Sequence, residues 1–250
     1  MTDKVSIITP SHNSSLFIKD CIESVQNQSY TNWEMLIVDD ASKDNSVELI
    51  QSISNNDSRI KLIALTKNVG AAEARNEALA HSKGKYIAFL DSDDMWLSSK
   101  LEKQIKFMQS SNCAFSFTAY QPMSENGSQK FSEIHVPSKI DYHSYLKNTI
   151  IGCLTVIIDK EQTGDFRMPN IRSSHDMALW LDIMKRGFKA YGLNEKLAYY
   201  RLVSNSNTSK KWKAATEVWK VYRTIEKLSI GYSLLCFIGY SYNAIKKRIL

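Results

Sequence analysis

The decisive stretch of this 250-residue chain is Tyr86-Ile87-Ala88-Phe89-Leu90-Asp91-Ser92-Asp93-Asp94. Its first five residues are apolar and predict a short buried strand, and three carboxylates follow at the C-terminal tip of that strand. Like charges crowded together raise one another's pKa and add no stability unless something neutralises them. The cluster therefore predicts a site for a divalent cation or a cationic partner, and carboxylate oxygens suit Mg²⁺ or Mn²⁺. By local spacing alone, a helix cap beside solvated carboxylates is the alternative.

The first 110 residues alternate between strand-like and helix-like segments. The predicted strands are Lys4–Thr9, Trp33–Val38, Ile60–Leu65 and Tyr86–Leu90, and the predicted helices are Leu16–Gln28, Ser46–Ser54, Gly70–His81 and Leu97–Ser110. This order predicts right-handed βαβ crossovers and an α/β fold with a mostly parallel sheet flanked by helices. Ligands of such sheets bind beyond the carboxyl ends of the strands, which is where the carboxylate cluster lies.

The second half of the chain has a less regular pattern. The predicted strands here are Ala114–Tyr120, Cys153–Ile158, Phe188–Leu193 and Lys196–Leu202, with a long polar loop at Gln121–Lys139 and a helix at Ser173–Gly187. The content of 43% hydrophobic and 10% aromatic residues is typical of a globular protein. We expect no signal peptide, since a strand-like run follows Met1–Lys4 directly, and no spanning helix, since no apolar run approaches roughly 18 residues. The four scattered cysteines are predicted to be buried thiols.

The basic charge is concentrated in the last 41 residues. Nine Lys/Arg and two Glu between Lys210 and Leu250 give +7, so residues 1–209 carry −1 of the total of +6. Trp212–Leu228 is amphipathic, and Ile230–Ile245 is richer in aromatic and apolar residues and is followed by Lys246-Lys247-Arg248. This combination favours a helix in the interface of an anionic membrane over nucleic-acid binding. A helical hairpin that packs on the domain or makes a dimer is the alternative.

Three further segments carry unusual residues near the predicted carboxyl edge of the sheet. Thr9-Pro10 ends the first strand, Asp39-Asp40-Ala41-Ser42 ends the second, and Asn68-Val69-Gly70 precedes the helix that carries Arg75. Because the tips of parallel strands meet at one edge, these segments and the Asp91–Asp94 cluster are predicted to build one pocket. The guanidinium of Arg75 suits a carboxylate or the oxygen atoms of a nucleotide.

Four segments of the chain resemble the family 2 glycosyltransferases. They are Val5-Ser6-Ile7-Ile8-Thr9-Pro10, Leu36-Ile37-Val38-Asp39-Asp40-Ala41-Ser42, Asn68-Val69-Gly70 through Ala74-Arg75-Asn76, and Phe89-Leu90-Asp91-Ser92-Asp93-Asp94. The resemblance covers residues 4–209 and implies the GT-A fold, a nucleotide-diphospho-sugar donor and inversion of the anomeric centre. It implies that Thr9, Asp40 and Arg75 hold the nucleobase. Asp91 would then contact the ribose or sugar, and Asp93 would bind Mn²⁺ or Mg²⁺ at the diphosphate. The complete predicted donor-binding set is Thr9, Pro10, Asp40, Asn68, Gly70, Arg75, Asp91, Ser92, Asp93 and Arg201.

The acceptor half carries a looser match. His175-Asp176 followed by Met177-Ala178-Leu179-Trp180-Leu181 is similar to the Glu-Asp segment of the family and implies that Asp176 is the general base. From its own segment alone, Asp176 is better explained as a carboxylate favoured by a helix N-terminus, and the motifs in the first half of the chain favour the base. His175 and Val203 depart from the family pattern, which has Glu and His there. Arg201, before the polar stretch Ser204–Ser209, resembles part of a loop that closes over the donor phosphates.

The resemblance divides the chain into a GT-A domain at 1–209, with a nucleotide-binding half at 1–110 and an acceptor half at 111–209, and a basic helical tail at 210–250. The tail is similar to that of bacterial enzymes of teichuronic-acid and O-antigen assembly. The implied enzyme moves a sugar from a UDP-sugar to a hydroxyl of a polyprenyl-diphosphate-linked saccharide at the inner face of the bacterial plasma membrane.

Two other functions stay open at this point. One is a polyprenyl-phosphate sugar synthase, whose phosphate acceptor needs no strong base. The other is a nucleotide-sugar-binding module without turnover. A homodimer is left open, whereas a nicotinamide dehydrogenase is disfavoured because the chain lacks G-x-G-x-x-G.

Overall fold

A computed structural model describes residues 2–203 and 211–249, with the side chains of the final segment described for 214–244. The strands are β1 (Val5–Ser11), β2 (Trp33–Asp39), β3 (Ile60–Ala64), β4 (Tyr86–Phe89), β5 (Met95–Trp96), β6 (Phe115–Ser124), β7 (Lys139–Ile140), β8 (Ile157–Asp159) and β9 (Ala190–Leu202). The helices are α1 (Ile18–Gln26), α2 (Ser46–Ser54), α3 (Ala71–His81), α4 (Lys100–Ser110), α5 (Tyr142–Lys147), α6 (Lys160–Thr163), α7 (His175–Lys185), α8 (Lys211–Lys220) and α9 (Ile230–Ile249). The predicted loop Ser204–Ser209 and the side chain of Trp212 lie outside the described residues.

The first half of the sheet is parallel, as predicted. The strands join in the order β3-β2-β1-β4-β8-β6-β9-β5, and β7 pairs with β9. All seven residues of β1 are buried, because Ile8 faces the apolar cluster that includes α3 whereas Ile7 faces the cluster that includes α1. Helices on both faces explain why these strands are continuous hydrophobic runs. They also leave the carboxyl ends of β1, β2 and β4 together at one edge.

Beyond β4 the sheet becomes mixed. β8 runs antiparallel between β4 and β6, whereas β9 is parallel to β6 and antiparallel to β5 and β7. The two predicted strands around Asn194 and Glu195 are one strand, β9. The pairing register with β6 shifts between Thr118 and Ala119, where the partner residue jumps from Leu193 to Lys196. The polar pair that looks like a turn in the sequence is therefore a β-bulge.

Two other predicted boundaries differ from the structure. β6 continues to Ser124, and isolated bridges pair Tyr120 with Ile134 and Met123 with Lys130, so the predicted loop folds back on β6. Cys153–Thr155 is a 3-10 turn rather than the start of a strand. The six-residue helix α5 was not predicted, because one and a half turns are too short to show helical periodicity.

The tail packs against the main body of the protein. Val218, Val221, Tyr222 and Cys236 are buried in the same apolar cluster as α5 and α7. The hydroxyl of Tyr222 donates a hydrogen bond to the carbonyl oxygen of Leu146. The predicted alternative of helices packing on the domain thus describes one face of the tail, while the division at residue 209 stays a prediction. In 2–203 and 211–249, no helix has the length and apolar character needed to cross a membrane.

Candidate active site

The β2 tip is held by hydrogen bonds from nearby backbone and hydroxyl groups. Asp39 accepts from the backbone N–H of Ser42 at 2.9 Å, from its hydroxyl at 2.6 Å, and from the hydroxyl of Ser11 at 3.2 Å. Thr9 and Pro10 lie one strand away in β1 and are buried, and the hydroxyl of Thr9 has no hydrogen-bond partner among the described residues. Buried hydroxyls are normally hydrogen-bonded, so this orphan is unusual.

Asp40 connects the β2 tip to the start of α3. Its two carboxylate oxygens accept from the backbone N–H groups of Val69 at 2.6 Å and Gly70 at 2.8 Å, and its carbonyl oxygen accepts from the side-chain amide of Asn68 at 3.1 Å. Gly70 has φ +88°, a conformation that favours glycine. The carboxylate therefore satisfies two backbone donors ahead of α3, and a contact with a nucleobase would use its remaining lone pairs.

Arg75 links the β4 tip to the start of α7. Its buried guanidinium donates to a carboxylate oxygen of Asp91 and, at 2.5 Å, to Nε2 of His175. Accepting this bond requires an unprotonated Nε2, so the imidazole is neutral with its proton on Nδ1. Burial lowers the pKa of His175, and the positive charge of Arg75 lowers it further, against the opposing effects of Asp176 and Asp91. The predicted nucleobase residue thus lies between the donor-side and acceptor-side segments.

The β4 tip carries charge that its surroundings balance only in part. Burial and the charge of Asp91 raise the pKa of Asp93 to about 6. Asp94 is buried, with one oxygen accepting from the backbone N–H of Arg201 at 2.8 Å and the other without a hydrogen-bond partner among the described residues. Burial, then Asp93 and Asp91, raise the pKa of Asp94 well above its usual value.

The three carboxylates of the β4 tip do not form a metal cage by themselves. Over the described ranges, no three His, Cys, Asp or Glu side chains come together as a metal cage. Asp94 is directed to the backbone of β9 instead, because burial leaves that N–H in need of an acceptor. Mg²⁺-type sites that serve phosphates use one or two carboxylates together with substrate oxygens, so Asp93 beside Asp91, whose side chain is 31% exposed, fits the predicted metal site. Ser92 lies between them, half-buried.

The buried side chain of Arg201 holds the loop after β4 by hydrogen bonds. This side chain is 3% exposed. It donates to the carbonyl oxygens of Asp93 at 2.8 Å and Glu125 at 2.7 Å, and to the carboxylate of Asp20 at 3.1 Å. The geometry gives Arg201 a positioning role, and contact with donor phosphates stays a prediction. Asp20, in the first turn of α1, was missed at the sequence level, where it looks like an ordinary helix-start carboxylate.

Asp176 lies in the first turn of α7 and is half-buried. Among the residues that the structure describes, none forms a hydrogen bond or ion pair with its carboxylate. The helix is anchored by Trp180, which is fully buried, with ring centroids 5.3 Å from both Phe89 and Phe115. A carboxylate without a hydrogen bond to the described residues, next in sequence to His175 and thus to the Arg75 contact with the β4 tip, is suited to accept a proton.

The chain is similar to several known proteins. The family model described as Glycosyl transferase family 2 matches residues 6–164. The putative teichuronic acid biosynthesis glycosyltransferase TuaG of Bacillus subtilis is 53% identical over 245 residues, covering 98% of this chain and 97% of the relative. The UDP-Glc:alpha-D-GlcNAc-diphosphoundecaprenol beta-1,3-glucosyltransferase WfgD of Escherichia coli is 41% identical over 218 residues, covering 87% and 84%.

Solved structures show the same fold. Staphylococcus aureus TarS 1–349 in complex with UDP-GlcNAc has a TM-score of 0.76 at 18% identity, covering 97% of this chain and 73% of that one. The mannosyltransferase PcManGT of Pyrobaculum calidifontis, in complex with GDP-Man and Mn²⁺, has a TM-score of 0.74 at 16% identity, covering 99% and 71%. The predicted GT-A architecture is thereby confirmed.

Proposed function

The chain belongs to the family 2 glycosyltransferases, and on that premise we propose that it transfers a sugar from a UDP-sugar to a hydroxyl of a polyprenyl-diphosphate-linked saccharide, with inversion at the anomeric carbon. The observation that carries the proposal is the Asp91–Arg75–His175 connection, which joins the carboxylate-rich β4 tip to the free carboxylate of Asp176. One relative is named for teichuronic acid biosynthesis and another for transfer to a sugar on diphosphoundecaprenol, which supports a role in surface-polysaccharide assembly. We propose the inner face of the plasma membrane as the place of action.

The donor is proposed to bind across the tips of β1, β2 and β4. Thr9, Pro10 and Asp40, with the Asn68–Gly70 loop, form the nucleobase side. Asp91, Ser92 and Asp93 form the sugar and diphosphate side. The orphan hydroxyl of Thr9 and the partly balanced charge at Asp93 support this assignment, because both are polar features that the fold itself leaves incomplete.

Asp93, with Asp91 beside it, is proposed to hold Mn²⁺ or Mg²⁺ together with the donor diphosphate. A divalent ion at this place would neutralise negative charge that develops on the leaving diphosphate. The raised pKa of Asp93 supports the assignment, since burial next to Asp91 disfavours the charged carboxylate in the absence of a counter-charge. The Mn²⁺ complex of the structurally similar mannosyltransferase supports metal use in this fold.

Asp176 is proposed as the general base. Its carboxylate takes the proton of the acceptor hydroxyl while that oxygen forms a bond to the anomeric carbon. The bond from this carbon to the diphosphate oxygen breaks on the opposite face, and its electron pair leaves with the diphosphate. Its position in the first turn of α7 fixes where this carboxylate lies.

Turnover of a panel of UDP-sugars tests the proposal, with a soluble short-chain polyprenyl-diphosphate-GlcNAc as acceptor and mass spectrometry of the products. We expect a single glycosylated product with the wild type, and a loss of at least about 100-fold in kcat for Asp176→Asn. Asp182→Asn is the matched control, because Asp182 lies on the same helix and pairs at the surface with Arg186. Normal turnover in Asp176→Asn would contradict the assignment of the base. Transfer to a polyprenyl phosphate instead would identify the synthase.

A further inference from the structure

The final helix, α9, has one face fixed to the protein. Ser233 and Cys236 on this face are fully buried. The hydroxyl of Tyr232 lies 2.8 Å from Nδ1 of His143 in α5, and the side-chain amide of Asn243 donates to the carbonyl oxygen of Lys147 at 3.0 Å. These contacts fix the rotation of α9 about its own axis, so the direction of its other face is determined.

The opposite face carries a stripe of large apolar side chains. They are 50–68% exposed and comprise Ile230, Leu234, Leu235, Ile238 and Tyr242, here called the α9 stripe. At roughly 100° per residue they fall within an arc of about 140°, on the side away from Cys236. Single exposed apolar residues are ordinary in soluble proteins, whereas a continuous row of five indicates an interaction surface.

The charge of the segment selects the kind of partner. Residues 230–250 contain no Asp or Glu, and the basic run Lys246-Lys247-Arg248 comes just before the last two residues. An apolar row on a helix with basic residues at one end matches the acyl boundary and headgroups of an anionic bilayer. A second copy that paired through the same helix face would bring to this basic cluster no Asp or Glu from residues 230–250.

We propose that the α9 stripe is a docking surface for an anionic lipid bilayer. The proposal rests on the proposed function in one respect: a lipid-linked acceptor is held at the bilayer, so contact with the bilayer would bring the enzyme to its acceptor. The stripe supplies apolar side chains to the interface, while the opposite face keeps the helix attached to the catalytic body.

Buried polar contacts connect α7 to the segment that precedes α9. Glu226, whose side chain is 1% exposed, accepts from the hydroxyl of Tyr142 at 2.6 Å and pairs with Lys185 at 3.1 Å. Lys185 is the last residue of α7, and Asp176 lies in the first turn of the same helix. An 11-residue helix, about 16 Å long, therefore separates the proposed base from the tail that docks.

Co-sedimentation of the full chain with vesicles tests the surface. We expect the wild type to sediment with phosphatidylglycerol-rich vesicles and to remain in solution with pure phosphatidylcholine vesicles. The double variant Leu234→Gln/Ile238→Gln should lose binding about tenfold or more, because two apolar side chains no longer enter the interface. Leu16→Gln, which changes a residue that is at least as exposed, is the control and should bind like the wild type. Point variants are preferred to deletion of the tail, which would uncover the core around Tyr222.

Several outcomes would overturn the proposal. These are equal sedimentation of the double variant and the wild type, or no sedimentation of the wild type with anionic vesicles. A third is a wild-type dimer in light scattering that dissociates in the double variant while neither binds vesicles, since the stripe would then be a self-contact. Turnover on the soluble acceptor separates the two proposals. The double variant should match the wild type there, and inactivity of both would count against the proposed function alone.

Discussion

The tips of β2 and β4 both carry clustered carboxylates, yet the fold treats them in opposite ways. At β2, the oxygens of Asp39 and Asp40 accept hydrogen bonds from Ser42, Val69 and Gly70, so the charge holds two loops in place. Carboxylates bonded in this way to backbone N–H groups stabilise the structure that surrounds them.

At β4 the balance is incomplete. The pKa of Asp93 is raised to about 6 by burial and by Asp91, and one oxygen of Asp94 has no hydrogen-bond partner among the described residues. Aspartate clusters at strand tips can therefore have different roles. Where backbone N–H groups saturate the oxygens, the cluster builds the fold, and where they do not, the cluster is available for a ligand.

The largest expected effect concerns the β4 tip. Asp93→Ala should lower kcat about 10³-fold, because neutralising the leaving diphosphate contributes several kcal/mol to the transition state. UDP with Mn²⁺ at ~100 times its Kd should stabilise the wild type by roughly 2.7 kcal/mol in thermal unfolding and leave the variant unchanged. Asp165→Ala, which removes an exposed carboxylate paired with Lys160, should behave like the wild type. Full activity of Asp93→Ala would contradict the assignment of the β4 tip as the carboxylate cluster that binds a ligand.

The β2 tip should instead respond in stability. Asp40→Ala leaves the N–H groups of Val69 and Gly70 without their charged acceptor, so we expect the free energy of unfolding in urea to fall by about 3 kcal/mol. Asp40→Asn keeps one acceptor oxygen and should lose about half as much. If Asp40→Ala unfolded like the wild type but failed to bind UDP, Asp40 would act only on the donor and would not hold the loop before α3.

Lys100 provides a test of whether a buried charge without an opposite charge beside it is enough to indicate a ligand site. This buried ammonium lies 2.5 Å from Oε1 of Gln104 and 4.7 Å from the ring centroid of Trp96, and burial lowers its pKa to about 7. Between pH 7 and about 10.5 the unfolded chain binds the proton that the folded chain has lost. The free energy of unfolding should therefore rise with pH in this window, by at most about 1.4 kcal/mol per unit from this group.

The matched variant for that measurement is Lys100→Met, which keeps the length of the side chain. Its free energy of unfolding should rise less steeply with pH between pH 7 and 10.5, because the contribution of Lys100 is gone. Its turnover of UDP-sugar should stay normal. Identical slopes in the two proteins would show that the ammonium remains charged in the fold. A loss of turnover would assign Lys100 to the active site, and unbalanced charge would then mark function wherever it is buried.

The smallest effect is expected at His175, where the two halves of the site meet. His175→Phe removes the acceptor for Arg75 and should lower kcat about tenfold through displacement of the α7 start. His175→Gln keeps an acceptor and should stay within about threefold of the wild type. Since burial and Arg75 lower the pKa of His175, its contribution to stability is lost as pH falls below about 6.5, and the Gln variant should lack that loss in pH-dependent unfolding. Equal loss of rate in both variants would exclude a positioning role for the Arg75 contact.

Prediction from sequence succeeded best where contacts are local. The alternating runs around Ile7 and Ile37 and the periodic helix α1 were identified because each βαβ unit buries its own apolar residues within a few dozen positions. The second half depends on distant partners. Asn194 and Glu195 are in a strand only because β6 lies beside them. α5 was missed because its short sequence carries no periodic signal, and the tail now covers it.

The sequence by itself determined the parallel first half of the sheet and the positions of the carboxylates at its strand tips, because both follow from local pattern, and its motifs carried the resemblance to the family. Only the tertiary structure decided what each charge does. Arg201 lies 108 positions from the carbonyl it binds at Asp93, and Arg75 lies 100 positions from His175. Whether a carboxylate is neutralised depends on groups brought to it by folding, and that pairing leaves no local trace in the chain.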